Sequence, residues 1–480
     1  MRKTFKVIIV VALAVILALS AFGCAKKRKS DTAKATPRPN PENLIGEIKL
    51  SGYLYSDMAK NLDNYKAAFV ADYPGVEITI DLDRVSAKQY FEALDDIAAS
   101  GDLSGAGDVI LVDAARMEKY AQEGKIIDLS PYIGTVLNFE TYQMINPAKD
   151  LLPAAYDACF YNGNLYMCAI EYNHKFVLLN YSLLEQAGFS FPTDNWTWDD
   201  LVEMAETLKN NGVETPIAMD YTDYSIWGAF ARSYGHDIYE YVGNSDDVKE
   251  LNLTHPDVVK GLEDLADIIN PERGLVDCIN SKDIAAEDIS KYAFIIADHE
   301  DIAVWNETLL AAEDETSEGE KWTWDYIHFP RWEDEDYEEN NVYYQAIAAN
   351  VYGFAVVNHG DDEQYDEDFY RTCAYLALYA TVSKASLGYA DEGQSVPANE
   401  TTNKMKFWRE YPKAGKNSSV FSHFAETADF AGSLACFMPT MSAEEIDITY
   451  AIDGYLSGTR TMRESLQTLQ ENAQASWKTR

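Results

Sequence analysis

Acids and aromatic rings dominate the residues of this chain that could do chemistry. Its 480 residues include 79 Asp and Glu against 39 Lys and Arg, with 32 Tyr and 9 Trp. No G-x-S-x-G, H-E-x-x-H, P-loop or G-x-G-x-x-G pattern occurs, which removes the cheap nucleophile, metal and nucleotide chemistries. A net charge of −40 argues against nucleic acid as a partner, since phosphate binding needs Lys and Arg. Paired carboxylates for glycoside hydrolysis stay open, because the separation that matters is spatial; most such acids simply solvate a surface. The alternative chemistry is recognition: aromatic faces for sugar rings, with carboxylates and amides for hydroxyls, arranged around a cleft.

The elements that must position such residues centre on Tyr161 to Leu208. Asn162-Gly163 is a hairpin signal between Phe160-Tyr161 and Leu165-Tyr166. Cys168 to Asn173 and the apolar run Phe176-Val177-Leu178-Leu179 then read as a strand buried on both faces and ending at Asn180. Ser182 with Glu185, and Thr197 with Asp200, read as capping boxes of two helices, stopped by Gly188 and by Asn211-Gly212. Upstream, Ile48 to Tyr55, the alternating Val76, Ile78, Ile80 and Leu82, and Val109 to Val112 read as strands separated by helices through Met58 to Phe69 and Phe91 to Ile97. Strands alternating with helices give α/β lobes, with ligands outside the carboxyl ends of the strands. That rule places Asp113 and the turn Tyr53-Leu54-Tyr55-Ser56-Asp57 at the mouth of a cleft.

Tyr161-Asn162-Gly163-Asn164-Leu165-Tyr166, Leu178-Leu179-Asn180, Gln186-Ala187-Gly188 and Thr197-Trp198-Asp199-Asp200-Leu201, in this order and spacing, resemble the hinge-crossing segment of family 1 extracellular solute-binding proteins. Those are ligand receptors of ABC importers, many of them for sugars. The resemblance spans roughly residues 46 to 477. It implies a two-lobed periplasmic-binding-protein-like fold (type II), with a cleft between lobes joined by a hinge, a monomeric non-enzymatic receptor, a carbohydrate-type solute, separate ABC permease subunits and no cofactor. Lobe 1 is expected over 46–170 and 346–398, and lobe 2 over 171–345 and 399–480.

The second lobe continues through Trp227 to Gly235-His236-Asp237-Ile238-Tyr239, which resembles the family's Gly-Gly-Asp-aromatic turn. His255-Pro256 starts a helix carrying Val258 to Ile269, and Phe294-Ile295-Ile296 is a buried strand. Ala346 to Val357 looks like the return crossing, with Tyr352-Gly353 at a loop, and Phe369 to Leu387 like one long helix. A last helix starts at Thr461. Glu313 to Gly319 and Glu333 to Asn340 are acidic and loop-like. The expected ligand contacts are Tyr53, Tyr55, Tyr172, Trp227, Tyr239 and Tyr352 as aromatics, with Asp57, Asp113, Glu171 and Asp237 as polar partners. Where sugar-binding members commonly carry a Gly-Pro-Trp-like turn, this chain has Asp298-His299-Glu300-Asp301. Glu300 and Asp301 are therefore read as contacts for a cationic solute or as a calcium site, against a plainly solvated turn, with Trp305 as a replacement stacking residue.

The chain ends on one side in an address. Arg2, Lys3 and Lys6 precede the apolar run Val7 to Leu19, a signal-peptide core too short to span a bilayer. Ser20-Ala21-Phe22-Gly23-Cys24 resembles a bacterial lipobox, so residues 1–23 are expected to be removed, Cys24 acylated, and the protein lipid-anchored on the extracytoplasmic face of the cell membrane. Residues 24–45 form a basic, Pro-rich tether suited to anionic head groups. Setting aside three basic residues of the signal, and six basic with two acidic of the tether, leaves 30 basic and 77 acidic side chains on the body, a net −47. Cys159, Cys168, Cys278, Cys373 and Cys436 have neither disulfide-framework nor zinc spacing and read as buried free thiols, with Cys159 facing Tyr166 across the hairpin. No metal ligands are expected.

Overall fold

The computed structural model describes residues 44–53, 58–82, 84, 86–192, 196–236, 238–241, 249–298, 324–332, 349–360, 364–390, 395–405 and 446–477. The signal, the tether to residue 43, Cys24, Cys436 and both acidic loops at 313–319 and 333–340 lie outside them. Among the described residues no helix is long and apolar enough to cross a membrane.

Three parallel strands start the chain: β1 (Gly46–Ser51), β2 (Val76–Asp81) and β3 (Val109–Asp113), with β1 between the other two. The helices α1 (Met58–Asp72), α2 (Ala87–Ala99) and α3 (Ala114–Gln122) follow them in turn. α1 buries Met58, Leu62, Tyr65 and Phe69, one face at helical spacing. The chain then makes β4 (Cys168–Asn180), a single 13-residue strand. At its entry Asn162 and Gly163 have φ of 50° and 73°, the left-handed pair that a two-residue hairpin needs. Tyr166 donates its N–H to the Cys159 carbonyl at 3.0 Å, so these two residues do face each other.

β4 is flanked by different partners along its length. From Cys168 to His174 it pairs antiparallel with β9 (Ala349–Val356), which in turn pairs with β3. From Lys175 onward it pairs with β7 (Phe294–Asp298), and from Phe176 also with β8 (Trp324–His328). With β5 (Ile217–Ala218) and β6 (Val276–Asp277) the order is β6-β5-β7-β4-β9-β3-β1-β2, with β8 off this path. The partner change falls between residues 174 and 175.

Helices α4 (Tyr181–Gln186), α5 (Trp198–Asn210), α6 (Tyr224–Ala231) and α7 (Pro256–Ile269) follow. The Thr197–Asp200 capping box is present in both directions, at 2.8 and 3.1 Å. The Ser182–Glu185 box does not cap α4: the helix starts two residues earlier and Asn180 caps it, accepting from the Leu183 N–H at 3.3 Å. Phe369 to Leu387 is not one helix either. It divides into α8 (Glu367–Leu378), a 3-10 turn at Tyr379–Thr381 and α9 (Ser383–Tyr389). The C-terminal pair is α10 (Ile448–Leu456) and α11 (Met462–Trp477), the latter with a reciprocal Thr461–Glu464 cap at 2.8 and 3.2 Å.

Cys159, Cys168 and Cys373 are free and buried, but Cys278, just past the end of β6, is exposed. Burial pushes the Cys159 thiol up to about 12.

Candidate functional site

Three of the expected contacts form one row across three strands. Tyr352 in β9 is registered opposite Asp113 at the carboxyl end of β3 on one side and opposite Glu171 of β4 on the other. Tyr352 is thus in a strand rather than the expected loop, immediately before a register shift in which β4 carries one extra residue, Ile170, opposite the Tyr352-Gly353 step. Close contact with β4 explains that sequence signal: a Cβ on Gly353 would meet the Cys168 carbonyl oxygen and stand 2.6 Å from Met167 Cγ, so only glycine lets β9 approach β4 here.

The Tyr352 ring, 9% exposed, stacks on Phe91 of α2 at 5.8 Å and 16°. The Arg116 guanidinium lies 4.6 Å above Phe91. Asp113 caps α3, accepting from the Arg116 N–H at 2.6 Å, and also pairs with the Arg116 side chain, which reaches Asp95 at 2.9 Å. Burial works against the Arg116 charge, but Asp113 and Asp95 outweigh it and raise its pKa. Asp113 therefore sits at the strand end as expected, already engaged by a helix and a cation. Tyr53 is buried against Tyr90 and Phe91, at 5.9 and 6.3 Å.

Along β4, period-two alternation puts Glu171, Asn173 and Lys175 in one file. Glu171, 2% exposed, accepts from Tyr389 at 3.2 Å, from Asn173 at 3.1 Å and from Ser395. Residues 396–398 run along this part of β4: Tyr172 donates to the Val396 carbonyl at 2.8 Å, and Ala398 to Ile170 at 3.1 Å. Tyr172 itself is fully buried.

Beyond the partner change the file ends in Lys175, 6% exposed, whose Nζ lies 2.7 Å from both Asp223 Oδ2 and Asp298 Oδ1. Asp223 caps α6, accepting from the Ser225 N–H at 2.8 Å, and Lys282 stands 3.6 Å from Asp298. Burial alone would raise the Asp298 carboxyl, yet the Lys175 and Lys282 ammonium groups hold it below the usual carboxylate range. Lys175 likewise is disfavoured by burial, but Asp223 and then Asp298 raise its pKa. The first acid of the Asp298–Asp301 turn is thus neutralised from within the fold rather than left for a cationic solute.

Trp227, expected on a loop, lies inside α6, fully buried at 4.8 Å from Tyr224. Tyr239 is in a short strand, Tyr239–Tyr241, paired with Lys249–Leu251. Tyr55, Asp57, Asp237, Glu300, Asp301 and Trp305 fall outside the described residues. The sequence reading missed Phe91, Arg116, Lys175, Asp223, Tyr389 and Ser395. For Lys175 a signal existed, since a charge in a strand buried on both faces demands a partner. A cavity of about 480 Å³ lined by Glu47, Lys49, Thr79, Asp108 and Tyr365 lies at the other end of the sheet, beside the start of β3, away from the carboxyl ends where α/β folds bind ligands.

Comparison with known proteins places this arrangement. The chain shares its fold with an ABC substrate-binding protein from Listeria monocytogenes in complex with cycloalternan, at 18% identity and a TM-score of 0.64, covering 90% of this chain and 99% of that one. The sugar-binding protein MalE from Xanthomonas citri matches at 14% identity and 0.66, over 90% and 98%. UgpB from Mycobacterium tuberculosis, in complex with glycerophosphocholine, matches at 13% and 0.65, over 90% and 98%. These likenesses establish the two-lobed binding-protein fold. A family model described as bacterial extracellular solute-binding protein matches residues 55–374, and the chain belongs to that family.

Proposed function

We propose that this solute-binding protein is the receptor of an ABC importer and that its solute is an oligosaccharide or sugar derivative. The observation that carries this reading is the row Asp113, Tyr352, Glu171, which puts two carboxylates and an aromatic ring beside the point where β4 changes partners. Such a row suits a pyranose, whose faces stack and whose rim hydroxyls donate to carboxylates. Tyr55, Asp57, Asp237, Tyr239, Glu300 and Asp301 would complete the site from surrounding loops, with Tyr53, Tyr172 and Trp227 shaping its floor. Similar proteins in complex with cycloalternan, maltose and an acarbose homologue support a saccharide.

Lobe 1 (46–170 and 346–398) and lobe 2 (171–345 and 399–480) would close on the solute about the shared strand, shifting the population toward a form that separate permease subunits recognise. The monomeric receptor would be held on the extracytoplasmic face by a lipid on Cys24, its basic tether lying against anionic head groups.

The test is a thermal-shift screen of the chain from Leu44 onward against mono- and oligosaccharides, glycerophosphodiesters, polyamines and amino acids. A ligand at 100 times its dissociation constant adds about 2.7 kcal/mol. A saccharide that stabilises the protein and is recovered unaltered supports the importer reading. Recovery of cleaved sugar would establish the glycoside hydrolase alternative, and stabilisation by polyamines alone would move the site to a cationic solute.

A further inference from the structure

The segment from the end of α6 to the start of α7 carries a different constellation. His236, on the turn after α6, and His255 and Asp257, at the start of α7, have ligand atoms all within 4.8 Å of one another. Among the described residues this is the one group of three metal-ligating side chains so placed. We propose that it binds a divalent transition-metal ion of the zinc class.

The distances fit. Zinc bonds of about 2.1 Å in tetrahedral geometry set neighbouring ligand atoms about 3.4 Å apart. His236 Nε2 stands 3.4 Å from Asp257 Oδ2, and His255 Nδ1 stands 3.8 Å from the same oxygen. The third pair, His236 to His255, lies within 4.8 Å, so closing the set needs at most about 1.4 Å, and His236, with a side chain 48% exposed, has room to move. The lone pair is also in place. His255 Nδ1 accepts the Asp257 N–H, so it is the unprotonated nitrogen of that ring, and at 3.3 Å the contact is long enough to exchange for a metal bond.

The two rings stack at 3.6 Å and 26°, and a nitrogen of each lies within 3.8 Å of the same Asp257 oxygen, so opening the stack at His236 would turn both in-plane lone pairs toward one ion. Two imidazoles and one carboxylate select zinc, nickel or copper over calcium or magnesium, which require oxygen. All three side chains are reached by solvent, so water completes the coordination. Bound metal would pin the turn after α6 to the start of α7. Sequence spacing hid the set, because the two histidines lie 19 positions apart. The inference is independent of the solute's identity.

The test is calorimetric titration of the tag-free mature chain, first stripped with chelator, with Zn2+, and a parallel Co2+ titration followed by visible absorption. One ion per chain is expected, with cobalt ligand-field bands. His236→Ala, and His255→Asn, which keeps a helix-capping oxygen, should each weaken Zn2+ binding about tenfold or more while the chelated variants melt like the chelated parent. Absence of saturable binding, or equal affinity in the H236A/H255N double variant, would overturn the proposal. So would saturation by Ca2+ but not Zn2+.

Discussion

The two halves of β4 hold their buried charges by different means. Before the partner change Glu171 is held by hydroxyl and amide donors from Tyr389, Ser395 and Asn173, which come from α9, the 395–399 segment and the strand itself. After it, Lys175 is held by two carboxylates from Asp223 and Asp298. A carboxylate met by neutral donors can take a solute hydroxyl in place of one of them, at a cost of about 1–3 kcal/mol for a displaced donor that finds no new partner. A buried ammonium between two acids has no such freedom, because losing any member leaves an uncompensated charge. The first half is therefore built to be adjusted, and the second to be fixed.

Breaking the fixed half should have the largest effect. Lys175→Ala leaves Asp223 and Asp298 facing each other and should cost about 3–5 kcal/mol in denaturant unfolding. A loss under about 1 kcal/mol would erase the contrast. Its pH dependence follows from the two shifts. The depressed Asp298 contributes stability above its unfolded pKa of about 3.9, lost as pH falls through its lower folded value. The raised Lys175 contributes stability below about 10.4, lost as pH rises through its higher folded value. The gap between parent and variant should thus be level from about pH 5 to 9 and shrink in acid.

Gly353→Ala comes next. It forces β9 away from β4 at the bulge and should cost about 1–3 kcal/mol, read as a lower melting temperature. Tyr389→Phe removes one donor from Glu171 and should cost about 1–2 kcal/mol, visibly less than Lys175→Ala; an equal loss would mean both halves are rigid. Thr197→Ala, away from the crossing, removes one arm of a cap and should cost about 1 kcal/mol with no change in solute affinity.

Local chemistry made much of this legible from residues alone. Asn162-Gly163, the Thr197–Asp200 box, the Val109–Asp113 strand and the helix after His255-Pro256 are each specified by neighbours within four residues. What failed was decided at a distance. Asn180 displaced Ser182 as the cap of α4 because β4 continues to that residue and sets where the helix begins. Tyr352-Gly353 reads as a loop, yet the glycine lies in a strand and lets β9 pass close to the Cys168 carbonyl of β4. Lys175 gives no local signal of its partners, which lie 48 and 123 positions away in sequence. The polar file Glu171, Asn173, Lys175 was visible as an alternation, but only pairing shows what answers it.

The most direct test of the central claim is calorimetric titration of the protein and of Tyr352→Ala with the saccharide found in the screen. The account predicts saturable binding of one saccharide by the parent and an affinity at least about tenfold lower in the variant, from loss of one stacking face worth about 1.4 kcal/mol or more. No saccharide bound by the parent, or equal affinity in a folded variant, would contradict it.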